Sequence, residues 1–205
     1  PLQAIELYER ALKLRPRYAR ALNNLGSALA AVGRTEAGAT RILEALDNDP
    51  TYAEAHNGLG LIRYEQGDYE AAIACFRRAA DLGPDYAEPH NNLGNALSDL
   101  GQTGAAAASF EEAIRIKPTY AAAYRNLGTL LKYAPDDPRI VRMERLADGD
   151  MLSEDDQIHL HFALGKAYKN TKRFSESYEH LLAGNTKRKH QIGYNIKTDI
   201  NLLSI

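Results

Sequence analysis

Apolar and small residues recur along this chain at helical spacing. Leu22, Leu25, Gly26 and Leu29 follow the i, i+3, i+4, i+7 pattern of one helix face. His56, Leu59, Gly60 and Arg63 repeat it, with Arg63 as a polar last member. A second kind of segment places Ala72, Phe76 and Ala79, or Ala106, Phe110 and Ala113, on one face. Small, large and small residues in that order suit an interdigitating helix pair. Turn signals at Gly33, Gly67-Asp68 and Gly101-Gln102 separate the two kinds of segment. Pro16, Pro50, Pro84 and Pro118 close each second segment, because proline cannot continue a helix. The pattern predicts consecutive helical hairpins.

The hairpins share one register. Leu-Gly falls at Leu25-Gly26, Leu59-Gly60, Leu93-Gly94 and Leu127-Gly128, each step 34 residues long. The closing prolines keep the step, as do Tyr18, Tyr52, Tyr86 and Tyr120, the alanines that follow them (Ala19, Ala53, Ala87, Ala121), and Ala11, Ala45, Ala79 and Ala113. Glycine inside a helix costs about 1 kcal/mol relative to alanine. Its return at one phase requires a packing reason: a partner helix crosses there, and a side chain would hold the backbones apart.

These residues resemble the tetratricopeptide repeat, whose period is 34 residues. The large first-helix residue of that family falls on Leu22, His56, His90 and Tyr124. Its small second-helix residue falls on Gly38, Ala72 and Ala106, and its bulky one on Ile42, Phe76 and Phe110. Tryptophan is absent, so the family's aromatic anchor is replaced. The resemblance implies an all-α, right-handed tetratricopeptide superhelix, an α-solenoid of antiparallel helix pairs with a concave face lined by the first helices. For function it is less specific, since the fold hosts many binding tasks.

The register sets the expected boundaries. Residues 1–134 read as the repeat array: a partial repeat at 1–18, repeats at 19–52, 53–86 and 87–120, and the start of a fourth at 121–134. Residues 1–15 are a second helix without its first, with Ala4, Tyr8 and Ala11 in the small, bulky, small positions. An apolar stripe including Ile5 and Tyr8 is therefore expected to face outward and to offer a route to self-association. Residues 135–152 read as an irregular second half of the fourth repeat, with Ile140, Met143 and Ala147 on a helix of altered register. Residues 153–185 read as a divergent fifth pair. Ser153 with Asp156 is a capping signature, and Leu164-Gly165 lies 37 residues after the preceding Leu-Gly. Residues 186–205 read as a connector to a further C-terminal domain, and the whole as the N-terminal portion of a larger bacterial protein.

A narrower resemblance supports that connector. Leu152-Ser-Glu-Asp-Asp156, His161-Phe-Ala-Leu-Gly-Lys-Ala-Tyr168, Arg173-Phe174, Asn185-Thr-Lys-Arg188 and Tyr194 resemble the segment that joins repeats to the catalytic domain in bacterial tetratricopeptide–sulfotransferase fusions. In that family a phosphosulfate-binding loop would follow.

Composition narrows the function classes. A formal charge of −2 over 205 residues argues against a dedicated nucleic-acid binder. The single cysteine, Cys75, excludes a disulfide framework and fits a reducing, cytoplasmic compartment. No apolar run approaches the roughly 20 residues that span a bilayer. Gly165-Lys166 is followed by Ala167 and is no phosphate loop, and Gly58-Leu-Gly60 lacks a third glycine. No serine-hydrolase elbow, zinc-protease helix or Cys-x-x-Cys occurs. His56 and His90 fill aromatic slots, and His159 and His161, two apart on a helix, point in different directions. No catalytic residue, metal site or cofactor is expected in this segment.

The binding candidates lie beside the packing stripe of the first helices: Arg20, Asn23, Asn24 and Ser27; Glu54, Asn57, Leu61 and Tyr64; Glu88, Asn91, Asn92, Asn95 and Asp99; Arg125, Asn126, Thr129, Lys132 and Tyr133. Asn24, Asn92 and Asn126 share one phase that Gly58 interrupts, and Asn57 and Asn91 form an adjacent column. A carboxamide both donates and accepts, so a row of them can grip a peptide backbone. The row resembles the asparagine ladder of the O-linked N-acetylglucosamine transferase repeats. The same amides could instead bond neighbouring helices or face water, and both readings stand at this point. Tyr64 and Tyr133 are candidates for added apolar contact. The basic clamp that holds a terminal carboxylate in chaperone-binding repeats is not matched, because Glu54, Glu88 and Asp99 lie among the cations.

Overall fold

The structure is a computed structural model, and it describes residues 2–149 and 152–192. Among these residues it contains eleven α-helices and no strand. The chain forms two compact units, Pro1–Ile116 and Lys117–Ile205.

The first unit holds α1 (Leu2–Leu14), α2 (Ala19–Ala31), α3 (Thr35–Asn48), α4 (Ala53–Glu65), α5 (Tyr69–Leu82), α6 (Ala87–Asp99) and α7 (Thr103–Ile116). Each helix packs on the next, and α4 also lies beside both α2 and α6. The tyrosine column marks the entry to the first helix of each repeat. In Arg15–Tyr18, Asp49–Tyr52 and Gly83–Tyr86, the tyrosine N–H donates back three residues, at 3.2, 3.2 and 2.9 Å. Proline at the second position of such a turn presets its backbone angle. Within a repeat, Gly33, Gly67 and Gly101 turn the chain at φ of 81°, 79° and 73°, a region that penalises a Cβ.

The helical glycines sit where the sequence requires close approach. A Cβ on Gly60 would stand 2.6 Å from Phe76, and one on Gly94 would stand 2.5 Å from Phe110. On Gly26 it would meet both Ile42 and the carbonyl of Gly38, at 2.5 and 2.7 Å. Ile42, Phe76, Phe110, Ala45, Ala79 and Ala113 are fully buried or nearly so. At the family's large first-helix position, His56 fills the slot and its Nε2 lies 3.0 Å from the Pro50 carbonyl.

The N-terminal helix departs from expectation. Ile5 is buried with Leu25 and Leu29, and Tyr8 packs against that cluster, so neither faces outward. A second helix rests on the first helix of the following repeat, and α2 supplies that surface whether or not α1 has a preceding partner. The outward large apolar residues of α1 are Leu2, Leu7 and Leu14, at 71%, 61% and 86% exposure.

The second unit holds α8 (Ala121–Leu130), α9 (Pro138–Ala147), α10 (Glu154–Asn170) and α11 (Phe174–Gln191), with α10 packed on α8, α9 and α11. Tyr124 takes the large first-helix position and donates to the Pro118 carbonyl at 3.1 Å, as His56 does toward Pro50. Ile140 and Met143 are buried in the altered second helix, which Asp137 caps through the Arg139 N–H. Here Gly128 meets a loop residue rather than a helical one: Tyr133 Oη lies 3.2 Å from its Cβ position. Ser153 caps α10, accepting from the Asp156 N–H at 3.1 Å. In the fifth pair the bulky residue against the Leu-Gly glycine is Leu181, at 2.8 Å. α11 carries the chain helically to Gln191, through the first residues of the expected connector. Residues 193–205 of that connector, including Tyr194, lie outside the described residues. No described helix is long and apolar enough to cross a membrane.

Candidate functional site

The first helices α2, α4 and α6 stand side by side, and their shared face carries most of the candidates in the first unit. Between α2 and α4, and closed by the tyrosines that precede α4 and α6, lies a cavity of about 520 Å³, lined by Arg20, Asn23, Asn24, Ser27, Tyr52, Glu54, Asn57, Gly58, Leu61 and Tyr86. One guanidinium and one carboxylate offset each other on its wall. The rest is carboxamide, hydroxyl and a leucine. Such a lining suits a neutral, polar, extended ligand better than an ion.

One column of the asparagines is not exposed. Asn23, Asn57 and Asn91 are 7%, 7% and 5% accessible. The helical period gives a residue's direction relative to its own axis, but α2, α4 and α6 flank one another and cover this column. Asn57 works between repeats. Its Oδ1 accepts from Asn92 Nδ2 at 3.0 Å, and its Nδ2 donates to Tyr86 Oη at 3.2 Å. Inter-repeat bonding is thus realised at Asn57 and Asn92. Each amide group still keeps capacity, since a carboxamide has two donors and two acceptor lone pairs.

Asn23 stands where Asn57 stands, one repeat earlier. Its Nδ2 reaches Asn24 Oδ1 at 3.4 Å, but its Oδ1 is buried with no hydrogen-bond partner. The reason is visible one repeat on. Asn92 supplies the amide that satisfies Asn57, and 34 residues before Asn92 the chain has Gly58. A Cβ at Gly58 would lie 3.1 Å from Asn23 Oδ1. The interruption in the asparagine phase therefore leaves this acceptor, in the wall of the cavity, without the donor that its counterpart has.

Tyr52 and Tyr86 complete this lining, and sequence reasoning treated them only as marks of register. Neither side chain caps the helix it precedes. The tyrosine that opens one first helix reaches back to the asparagine of the preceding one, 29 residues earlier, as Tyr86 does to Asn57. That spacing is the signal that could have revealed them. Burial pushes the Tyr86 phenol up to about 12, with Glu88 and Glu54 adding to it, and burial followed by Glu54 raises Tyr52. Both hydroxyls are neutral donors at neutral pH.

The other candidates disperse. Tyr64 gives its hydroxyl to Asp99 in a short contact and its ring to Tyr69, centroids 5.4 Å apart. Asn91, Asn95 and Asn126 have contacts of their own. In the second unit, Lys132 is exposed in the loop after α8. Tyr133 is 4% accessible and packs beneath Gly128, so it offers no groove contact. It occupies the place that Phe76 and Phe110 hold in complete repeats. Arg125 lies against His159 and Phe162. His161 instead meets His180, Nδ1 to Nδ1 at 3.0 Å. Cys75 is half-buried, and burial raises its thiol pKa. Among the described residues, no group of three or more His, Cys, Asp or Glu side chains is placed to hold a metal.

A family model of the TPR repeat matches residues 3–33, 60–101 and 94–132, and a further tetratricopeptide repeat model matches residues 42–74. Together with the helix pairs, this makes the chain a member of the tetratricopeptide-repeat family. Among solved structures it is similar to BtubC (BKLC) from P. vanneervenii, at 19% identity and a TM-score of 0.68, over 94% of this chain and 90% of that one. It is similar to YrrB, described as a TPR protein with an unusual peptide-binding site, at 20% identity and a TM-score of 0.60, over 89% and 93%. These two likenesses speak to fold alone. A mutant O-GlcNAc transferase of Thermobaculum terrenum matches at 30% identity and a TM-score of 0.55, over 63% of this chain, which spans only 25% of that protein. No curated protein matches the sequence.

Proposed function

We propose that the α2–α4–α6 face of the first unit binds an extended polypeptide, without catalysis, through backbone hydrogen bonds to side-chain carboxamides and phenols. The observation that carries this reading is the orphaned Asn23 Oδ1 beside Gly58. A buried acceptor without a partner costs about 1–3 kcal/mol. A peptide N–H entering the cavity would satisfy it. Asn24, Tyr52 and Tyr86 line the approach, and Leu61 offers apolar contact. Each neutral hydrogen bond nets about 1 kcal/mol, so three or four give weak binding unless side-chain burial or tethering adds to them.

The test is Gly58→Asn. The new amide would sit where Asn92 sits one repeat later and would donate to Asn23 Oδ1. Stability should rise by about 1 kcal/mol, from the satisfied acceptor and the better helix former. Binding to an immobilised peptide array should fall sharply. A variant that gains stability and binds peptides as the parent does would refute the reading, and misfolding could not explain that result.

A second reading has support from one comparison. The chain is similar to a quarter of an O-GlcNAc transferase, which supports reading it as a part that presents acceptor polypeptides to an attached transferase. The narrower form, in which the transferase is a sulfotransferase of a larger bacterial protein, rests on the connector sequence alone. Its test is whether a phosphate-loop strand–turn–helix follows residue 205 in the gene.

A further inference from the structure

The second unit has a cavity of its own, of about 460 Å³, lined by Arg125, Gly128, Thr129, Phe162, Lys166 and Arg188. Three helices build it. Arg125, Gly128 and Thr129 share one face of α8 at i, i+3, i+4, Phe162 and Lys166 stand four apart on α10, and Arg188 comes from α11. The lining has three cations and no carboxylate. This differs from the balanced wall of the first-unit cavity.

Both guanidiniums lie near one aromatic ring. Arg125 lies over Phe162 at 5.8 Å from the ring centroid, and Arg188 lies over the same ring at 5.9 Å. Arg125 Nη1 is also 3.2 Å from His159 Nδ1, so the neutral imidazole accepts from it. The acids at the start of α10 are engaged elsewhere. Asp155 accepts from Gln191 at 2.9 Å, and Asp156 accepts from Ser153 Oγ at 2.7 Å. No ion pair among the described residues neutralises Arg125, Lys166 or Arg188. His159 registers the resulting field. Its pKa is lowered first by burial, then by Arg125 and further by Arg188, against opposing pulls from Asp155 and Asp156.

We propose that this pocket is a phosphoryl-binding site, seating the phosphate dianion of a phosphorylated side chain between Arg125, Lys166 and Arg188. Planar guanidinium forks match the oxygens of a phosphate in two-pronged contacts, and a lysine supplies a point charge. A dianion neutralises three cations more completely than one carboxylate does. Thr129 lines the pocket with its hydroxyl already donated to the Asn126 carbonyl, at 2.6 Å, and Phe162 gives the methylene of the esterified residue an apolar surface. This site is independent of the carboxamide face in the first unit, and it stands whether or not that face binds peptide.

The probes are a short alanine-rich peptide with one phosphoserine, its unphosphorylated twin, its glutamate twin, and inorganic phosphate. Titration followed by NMR should show the phosphopeptide binding at least tenfold more tightly than either twin. Binding should weaken with ionic strength. Lys166→Gln and Arg188→Gln, both exposed positions, should each lose about tenfold. The His159 pKa should rise on saturation, because the bound dianion offsets the two guanidiniums; a merely unfolded variant would not show this. Inorganic phosphate that saturates the site as tightly as the phosphopeptide would keep the phosphoryl chemistry and assign the free ion as its source. Equal binding of the glutamate twin, no response to either phosphate source, or indifference to both substitutions would overturn the proposal.

Discussion

Replacing Gly94 by alanine is the sharpest test of why glycine recurs inside these helices. Alanine is the better helix former by about 1 kcal/mol, so propensity alone predicts stabilisation. The packing predicts the opposite. The new Cβ would stand 2.5, 2.7 and 2.8 Å from three ring atoms of Phe110. Ordinary carbon contacts lie near 3.5–4.0 Å. Phe110 is 2% exposed, between the buried Ala106 and Ala113, so the ring has nowhere to swing. Overpacking of this kind costs about 1–3 kcal/mol. The net expectation is a loss of up to about 2 kcal/mol. Gly128→Ala is the control, with the same chemistry at the same column. Its nearest neighbour is the tip of Tyr133 at 3.2 Å, with the next atoms at 3.5 and 3.8 Å. It should be neutral or gain up to about 1 kcal/mol. Urea unfolding with hydrogen exchange on α6, α7 and α8 gives both numbers, since repeat arrays can open locally rather than in one step. Phe110→Val removes the clashing atoms, so the pair with Gly94→Ala should be less destabilised than the sum of the singles by more than about 1 kcal/mol. Equal effects at Gly94 and Gly128, or strict additivity with Phe110→Val, would refute the argument.

Three further outcomes follow from particular contacts. Asn57→Ala strands Tyr86 Oη and Asn92 Nδ2 and should cost about 1–3 kcal/mol in chemical denaturation, whereas Asn24→Ala removes only the long contact from Asn23 Nδ2, at 3.4 Å, and should cost less than about 1 kcal/mol. Lys172 holds φ at 62° where other repeats turn on glycine, so Lys172→Gly should stabilise by about 1 kcal/mol in thermal unfolding; a loss would contradict the strain. His90, His159, His161 and His180 are each held below the usual histidine range, with burial the largest cause in every case. Below about pH 6.5 the unfolded chain therefore binds more protons than the folded one, so stability is full above that pH and is lost as pH falls. Denaturant midpoints at about pH 7.5 and about pH 5.5 measure this slope, which His180→Gln should flatten; a level profile would contradict it.

Much of the fold was legible because columns such as Leu-Gly, proline, tyrosine and alanine advance by one step. A shared step fixes which residues of successive hairpins become neighbours, and the close crossing it required at the helical glycines is met by Phe76 at Gly60 and by Phe110 at Gly94. The fourth repeat was legible only in part. Ile140 and Met143 were found, but the partner of Gly128 is Tyr133, which reaches it from a loop that no helical period describes. The same limit misplaced Tyr133 in the groove. Ile5 and Tyr8 were expected to face outward because the repeat pattern gives α1 no first-helix partner, whereas α2 covers them. For the candidate site, the sequence located Arg20, Asn23, Asn24, Asn57 and the gap at Gly58. It could not show that a gap in one helix leaves an acceptor unsatisfied in its neighbour, since that depends on a contact between positions 35 residues apart, Asn23 and Gly58.

The peptide-binding account centres on the cavity at Gly58. Its most direct test is the side-chain amide spectrum of asparagine-labelled protein during titration with an extended peptide selected from the array. The account predicts that the Nδ2 resonances of Asn23, Asn24 and Asn57 move together and saturate at one affinity. Saturable binding that leaves these three unmoved while shifting residues of α3 or α5 would contradict it.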